Sequence, residues 1–324
     1  MAWRSAAWGF VNFTGTAGVW RASAIERVGG WRAASLVEDC ELSFRHVFAG
    51  YRTTFVKEIV VPAELPATFS AYRAQQRRWT MGWVQLQRLH LHRLMTQFPT
   101  SLARRVHLLY HMCIGWQWPA WAIWTLTLPF MILGGLWFGA DSPALGAGLY
   151  LLPTTSSVVL LTVLASIETR DSDGRRASRP AMAGRLRRIV PFVVLNTGLL
   201  AHQSCAFAEG LLAPLHSEFE RTPKAATVSS VSSGTVTPTR SRSHAAGVRI
   251  HWPYVVTEAG FAVYQLGWAV VFLVNGAILG AVGAAYLAAC VLAVAPISNW
   301  TAVRDSMCGT MRSAISARCS GWSR

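Results

Sequence analysis

Two long apolar runs limit what this chain can become. Leu108–Phe138 and Leu145–Ile167 each exceed the roughly 20 residues that cross a bilayer, and only Ala140–Pro143 breaks the sequence between them. They read as a transmembrane hairpin, residues 106–168, with a very short outer turn. The first run carries Trp116, Trp118, Trp121, Trp124 and Trp137. Composition agrees: of 324 residues 52% are hydrophobic and 14% charged, with a mean hydropathy of +0.31, which points to a multi-pass membrane protein. Lys and Arg outnumber Asp and Glu by 30 to 15. In a soluble protein that excess would suggest nucleic acid. Here the basic residues lie between apolar runs, as juxtamembrane segments do, and no basic-groove motif accompanies them. The expected partner is a lipid bilayer, not nucleic acid.

Charge then orients the chain. Glu168–Arg188 is a basic loop with Arg170, Arg175, Arg176, Arg179, Arg185, Arg187 and Arg188, so the positive-inside tendency puts it in the cytoplasm. The segment before the hairpin is then cytoplasmic too. Ile189–Leu215 is apolar enough to span but contains Asn196, His202, Gln203, Ser204 and Glu209, polar groups that are costly in hydrocarbon. The expectation is an interfacial or re-entrant helix pair. Residues 169–224 thus hold a basic loop, interfacial helices and the charged stretch HSEFERTPK. Residues 225–250 are rich in Ser and Thr and read as a disordered insert. Residues 251–300 read as a second hairpin, Tyr254–Leu279 and Ala281–Pro296, whose short second member could start from Gly276, and 301–324 as an irregular tail. The six cysteines form no CxxC pair, so neither a disulfide framework nor a zinc site is indicated.

Residues 1–105 read as water-soluble and mixed α/β. Phe10–Phe13 and the β-branched Thr53–Val61 are the expected strands. Ser23–Val28 reads as a short helix stopped by Gly29-Gly30, Glu38–Ala49 as a helix ended by Gly50, and Ala71–Arg93 as a longer one. One to three strands are too few for a whole α/β domain, so the chain reads as starting partway through one.

Several stretches offer chemistry. In Ala71–Trp83, the residues Gln75, Arg78, Trp79 and Gly82 fall at i, i+3, i+4 and i+7, on one helical face. An amide, a guanidinium and an indole together suit a sugar or a pyrophosphate. The same pattern would suit an amphipathic helix on a membrane surface, with Arg73, Arg77 and Arg78 toward headgroups. Glu38 and Asp39 open a helix, where the dipole favours carboxylates; an Asp there could also take a proton from a hydroxyl. In Asn12–Arg21, Gly15 and Gly18 allow close backbone approach, and Thr14 and Thr16 offer hydroxyls; a plain turn would use the same residues. Asp171-Ser172-Asp173 spells DxD but has no preceding strand and reads as a solvated loop. His107 and His111 share i, i+4 spacing without an acidic partner, as helix packing would.

Taken in order, GTAGVWR, GGW, VEDCELSFR, ELPATFSAYRAQQRRW, the apolar runs and FERTPK resemble family 2 glycosyltransferases over residues 8–224. The likeness is to the processive membrane β-glycan synthases: cellulose synthase and the glucomannan or β-mannan synthases of the cellulose-synthase-like group. The resemblance implies part of a GT-A-type nucleotide-sugar transferase domain, followed by multi-pass transmembrane helices. It implies that Asp39 is the general base, with Glu38 beside it among the substrate-binding groups. Gln75, Arg78 and Trp79 match QxxRW, which holds the pyrophosphate and the acceptor end of the glycan. Thr14, Gly15 and Thr16 match the loop where the terminal acceptor sugar docks. Phe219, Thr222 and Lys224 match a gating loop over the nucleotide, with Arg221 where that motif has Val.

The implied reaction transfers a hexose, with inversion, from a UDP- or GDP-hexose donor to a growing β-linked glycan acceptor. The implied cofactor is a divalent metal, Mg or Mn, held by a DxD pair that this chain does not contain on a strand. Only about a dozen residues precede the GTAGVWR loop, so the expectation is an N-terminally truncated fragment with little activity alone. The alternative is a non-catalytic membrane subunit or pseudoenzyme of a synthase complex. The resemblance leaves open a homo-oligomer or a synthase complex, in Golgi or plasma membrane, with the catalytic face cytoplasmic.

Overall fold

The computed structural model describes residues 2–13, 15, 17–56, 58, 59, 61, 66, 68–137, 187, 189–215 and 252–295. Ten helices are described. They are α1 (Ala2–Trp8), α2 (Ala22–Arg27), α3 (Glu38–Phe48), α4 (Phe69–His92), α5 (Leu102–Met112), α6 (Gln117–Trp137), α7 (Ile189–Gly198), α8 (Leu200–Leu212), α9 (Trp252–Val274) and α10 (Ile278–Ala295). Helix α4 runs on into a π turn, Arg93–Gln97, and a 3₁₀ turn, Ile114–Trp116, precedes α6.

The described residues are mostly helical, and no strand forms among them. Where they are described, the segments expected as strands are joined by one backbone bond and several bonds through side chains. Thr53 N–H donates to the Gly9 carbonyl at 3.0 Å, while its hydroxyl accepts from Val11 N–H at 2.5 Å. Ser5 Oγ donates to the Thr53 carbonyl at 3.1 Å and accepts from Phe55 N–H at 3.0 Å. Hydroxyls thus stand where a ladder would need a second backbone strand.

The chain divides into two compact units. The first contains the described residues up to Trp116 and from Ala206 to Leu215. Its core is Phe10, Val37, Phe44, Leu86, Leu108 and Met112, with neighbours of the same kind. Leu108 and Met112 had been expected inside the first apolar run; they belong instead to α5, an amphipathic helix capped by Ser101. Helix α3 ends as the glycines require: Gly50 takes a φ of 85°, and Gly29 and Gly30 after α2 take 86° and 71°.

The second unit contains the described residues from Gln117 to Cys205 and from Trp252 to Ala295. Helices α9 and α10 are long and apolar enough to cross a membrane. The bent pair α7 and α8, meeting at 45°, could count as one further crossing. Gly276, with a φ of 73°, lies in the turn between α9 and α10, and Ile189–Leu215 contains the bent pair α7 and α8. The second apolar run, the basic loop except Arg187, the Ser/Thr-rich insert and the tail lie outside the described residues. Small residues set the packing: a Cβ on Gly198 would lie 2.5 Å from the Cys290 carbonyl oxygen and 2.4 Å from Val294. Leu128, Phe261, Phe272, Ala284, Leu287 and Val291 fill the interior, while Phe130, Val263, Val270, Leu273 and Ile278 point outward. That outward apolar surface is what lipid would cover.

Helix α6 carries Pro129 inside it. A proline has no N–H, so the carbonyl four residues back loses its helical donor. That carbonyl belongs to Thr125, and the fully buried Gln265 donates to it from Nε2 at 3.2 Å. Thr125 and Gln265 are both fully buried, so bulk water does not reach this carbonyl. Gln265→Leu should therefore destabilise the full chain by about 1–3 kcal/mol in a denaturant titration in micelles. Pro129→Ala, which restores the helical donor, should remove most of that penalty in the double variant. Equal penalties with and without Pro129 would contradict the pairing.

Candidate active site

The site is built where α4 touches the entry to α3. Gly82 makes this contact possible: a Cβ there would lie 2.7 Å from Val37 Cγ1, 3.0 Å from Val37 N and 3.1 Å from Leu36 C. Side chains on both elements reinforce it. Ser35 Oγ donates to the Gly82 carbonyl at 3.1 Å, and Gln85 Oε1, a turn further along, accepts from Leu36 N–H at 3.0 Å. The backbone of Leu36 and Val37 is thus pinned to α4 just before Glu38 and Asp39.

One turn before Gly82 on the same face stands Arg78, close enough for its charge to act on both carboxylates. Burial raises the Asp39 pKa above the ordinary 3.8; a backbone bond from Cys40 N–H to Oδ1, 2.8 Å, and the Arg78 charge act the other way and only partly offset it. Glu38 is also raised, first by burial and then by the Asp39 charge, against the pull of Arg78. Burial lowers the Arg78 pKa, opposed by both carboxylates. The result is two half-buried carboxylates and one half-buried guanidinium at a common place.

The small-residue loop closes on the same carboxylate. Gly15 has a φ of 77°, and a Cβ on it would lie 3.0 Å from Asp39 Oδ2. The loop is held from below: Phe13 N–H donates to Ser43 Oγ at 2.9 Å, and Ser43 Oγ donates to the Asp39 carbonyl at 2.9 Å. The Phe13 ring meets Trp20 edge-on at 5.4 Å, and Trp20 in turn lies 4.6 Å from the His46 ring. Asn12 bridges α3 and α5, donating to Cys40 Sγ at 3.6 Å while its Oδ1 lies 2.5 Å from His111 Nε2.

Of the expected site residues, Gly15, Glu38, Asp39 and Arg78 are therefore gathered. Gln75 and Trp79 share the Arg78 region of α4; Gln75 is half-buried, and the Trp79 indole is 42% exposed and free to stack. Thr14, Thr16, Phe219, Thr222 and Lys224 lie outside the described residues, as does Asp171-Ser172-Asp173. Ser35, Ser43, Gln85 and Asn12 were missed by sequence reasoning. Only Gln85 carried a signal, lying three residues beyond Gly82 on one face of α4.

Helix α4 is also fixed from its other side. A Cβ on Gly210 would lie 2.9 Å from Val84 Cβ and 3.0 Å from Met81 Cα. Arg77 Nε reaches Glu209 Oε2 at 2.9 Å, and Arg88 Nη1 donates to the carbonyls of Gly210 at 3.1 Å and Ala213 at 2.5 Å. Arg88 thus caps the carboxyl end of α8.

No group of three or more His, Cys, Asp or Glu that could hold a metal exists among the described residues. Glu38 and Asp39 face a guanidinium rather than further carboxylates, so this donor set does not fit a divalent ion.

Comparison with known proteins adds what the chain is similar to. Residues 2–155, just under half of the chain, match the model of the glycosyl transferase family group 2. The particular likeness is to plant mannosyltransferases. The chain is 46% identical over 101 residues to the probable glucomannan 4-beta-mannosyltransferase 2 of Oryza sativa subsp. japonica, covering 31% of this chain and 17% of the relative. It is 40% identical over 106 residues to glucomannan 4-beta-mannosyltransferase 9 of Arabidopsis thaliana, covering 33% and 20%. It is 41% identical over 106 residues to glucomannan 4-beta-mannosyltransferase 1 of Cyamopsis tetragonoloba, again 33% and 20%. The match thus spans a fifth or less of these relatives' length. No solved structure matches.

Gly82→Ala should lower the unfolding temperature of the full chain, because the added methyl drives α4 off the Leu36–Val37 backbone. Helix propensity alone would stabilise by roughly 0.5–1 kcal/mol. Gly267→Ala, inside α9 with nothing within 4 Å, is the control and should leave the temperature unchanged or raise it. Equal behaviour of the two would remove the close approach from the argument.

Proposed function

We propose that this chain carries the acceptor and pyrophosphate side of a membrane β-glycan synthase. The supporting observation is that Asp39 and Arg78, far apart in sequence, act on one another across the α3–α4 contact. In this reading residues 1–105 are the second half of a GT-A-like cytoplasmic domain. The transmembrane hairpins are 117–168 and 251–300, and Phe219, Thr222 and Lys224 of 169–224 serve as the gating residues. The donor is a UDP- or GDP-hexose, and the names of the relatives favour mannose added in β-1,4 linkage to a glucomannan. The membrane is Golgi or plasma membrane, and the assembly a homo-oligomer or a synthase complex.

Asp39 takes the proton from the acceptor hydroxyl. The oxygen forms its bond to the anomeric carbon as the bond to the diphosphate breaks, so the configuration inverts. The electron pair leaves with the diphosphate, whose growing charge Arg78 faces as a fixed cation. Trp79 offers its exposed indole to a sugar face, and Gly15 lets the acceptor approach Asp39. A divalent metal, when bound, would neutralise the diphosphate; none of the steps assigned to these side chains passes through it.

The acid limb of the rate tests the base. Asp39 must be ionised, and burial lifts its pKa above 3.8, so the rate should fall as pH drops through that raised value. Arg78→Gln removes a charge that lowers it and should move the limb to higher pH. Asp39→Asn should cut incorporation of label from GDP-mannose or UDP-glucose, in membranes making glycan with this chain present, by about 10²–10⁴-fold. Unchanged incorporation would assign the chain to a non-catalytic subunit instead.

A further inference from the structure

A second polar cavity lies at the other end of α3. It has a volume of about 350 Å³ and is lined by Arg27, Gly29, Arg32, Arg45, Ala49 and Arg93. Asp39 and Arg45 are six residues apart on one helix, roughly 9 Å along its axis at 1.5 Å per residue, so this cavity is separate from the carboxylate site.

Its arginines are pre-set by the fold. Arg45 is buried and spends its donors internally: Nε on Glu41 at 2.8 Å, Nη1 on the Val28 carbonyl at 2.6 Å and Nη2 on the Gly30 carbonyl at 2.7 Å. Glu41 also binds His90 at 2.8 Å, and these bonds hold its carboxyl below the usual range against the opposing effect of burial. Arg32 folds against Gly29, where a Cβ would lie 2.5 Å from its Nη2. Arg93 opens the π turn and rests over the Phe48 ring at 5.0 Å. No ion pair to Arg27, Arg32 or Arg93 forms among the described residues.

Three guanidinium charges thus share one cavity, with no acid paired to them among the described residues. Like charges held together repel unless an anion joins them. Planar forks of this kind match phosphate oxygens bidentately. The volume, about ten times a water's 30 Å³ share, admits a phosphate with part of its hydration. From this geometry we infer that Arg27, Arg32 and Arg93 form a phosphate-binding site distinct from the transfer site. The ligand is a phosphate group of charge near −2, either dissolved or carried by a lipid headgroup.

Calorimetric titration of the purified full chain in neutral micelles at low salt tests this. Inorganic phosphate is one probe; dioctanoyl phosphatidic acid is the second, with dioctanoyl phosphatidylcholine as its control. Saturable binding of phosphate identifies a dissolved ligand, and binding of phosphatidic acid alone identifies a headgroup. Either should weaken at least tenfold in the R32Q/R93Q variant and stay unchanged in R104Q. Binding lost in Arg78→Gln but kept in R32Q/R93Q would place the phosphate at the transfer site and overturn this one. Should the double variant fail to fold, the single variants at these exposed positions should each weaken binding at least threefold. Absence of binding by both probes, or equal affinity in R32Q/R93Q and the parent, overturns the site.

Discussion

The backbone-to-backbone approach at Gly82 is the constraint on which the site depends. A helix normally stands off its neighbours by the length of its side chains. Here the missing Cβ lets α4 rest on the Leu36 and Val37 backbone. Because Ser35 and Gln85 satisfy the polar groups exposed by that contact, the approach costs no unpaired donor. The consequence is positional: Arg78 is delivered to Glu38 and Asp39 by two rigid helices rather than by loops. Gly210 repeats the device on the next face of α4, so the helix has little freedom to retreat.

The second unit solves a different problem by similar economy. Pro129 would leave a carbonyl without a helical donor inside the apolar packing of this unit. Gln265 fills that need, and Tyr264, its neighbour, donates to the Leu126 carbonyl at 2.5 Å. The buried His202 and Glu258 lie 3.4 Å apart in the same unit, a second case of polar groups satisfied within the apolar bundle. Gln265, Tyr264, His202 and Glu258 are therefore explained by particular partners before any transport role needs to be invoked.

Helix positions were legible in the sequence because their signals are local. Gly29-Gly30 and Gly50 terminate helices as read, and Gly276 lies in the turn between α9 and α10, each with a positive φ. The break within Ile189–Leu215 could be read from its polar residues. The strands could not be judged that way. Thr53–Val61 has β-branched composition, but a strand exists only when another backbone pairs with it, and here Thr and Ser hydroxyls take those bonds. The α5–α6 boundary failed for a related reason. Leu108 and Met112 are apolar whether they face lipid or a protein core, and only the partner elements decide which.

The site was legible in part, and the division is physical. Asp39, Arg78 and Trp79 announce themselves because carboxylates, guanidinium groups and indoles are chemically distinctive. The groups that aim them do not. Gly82 carries no chemistry at all, and Ser43 matters only because its hydroxyl sits between the Phe13 amide and the Asp39 carbonyl. The same division runs along α3. Its amino end gathers Glu38, Asp39 and Glu41, where the helix dipole favours anions. Its carboxyl end holds Arg45, whose charge is spent on Glu41 and on the carbonyls that follow α2. That internal neutralisation leaves the charges of Arg27, Arg32 and Arg93 to the cavity, so one short helix separates an acidic pocket from a basic one.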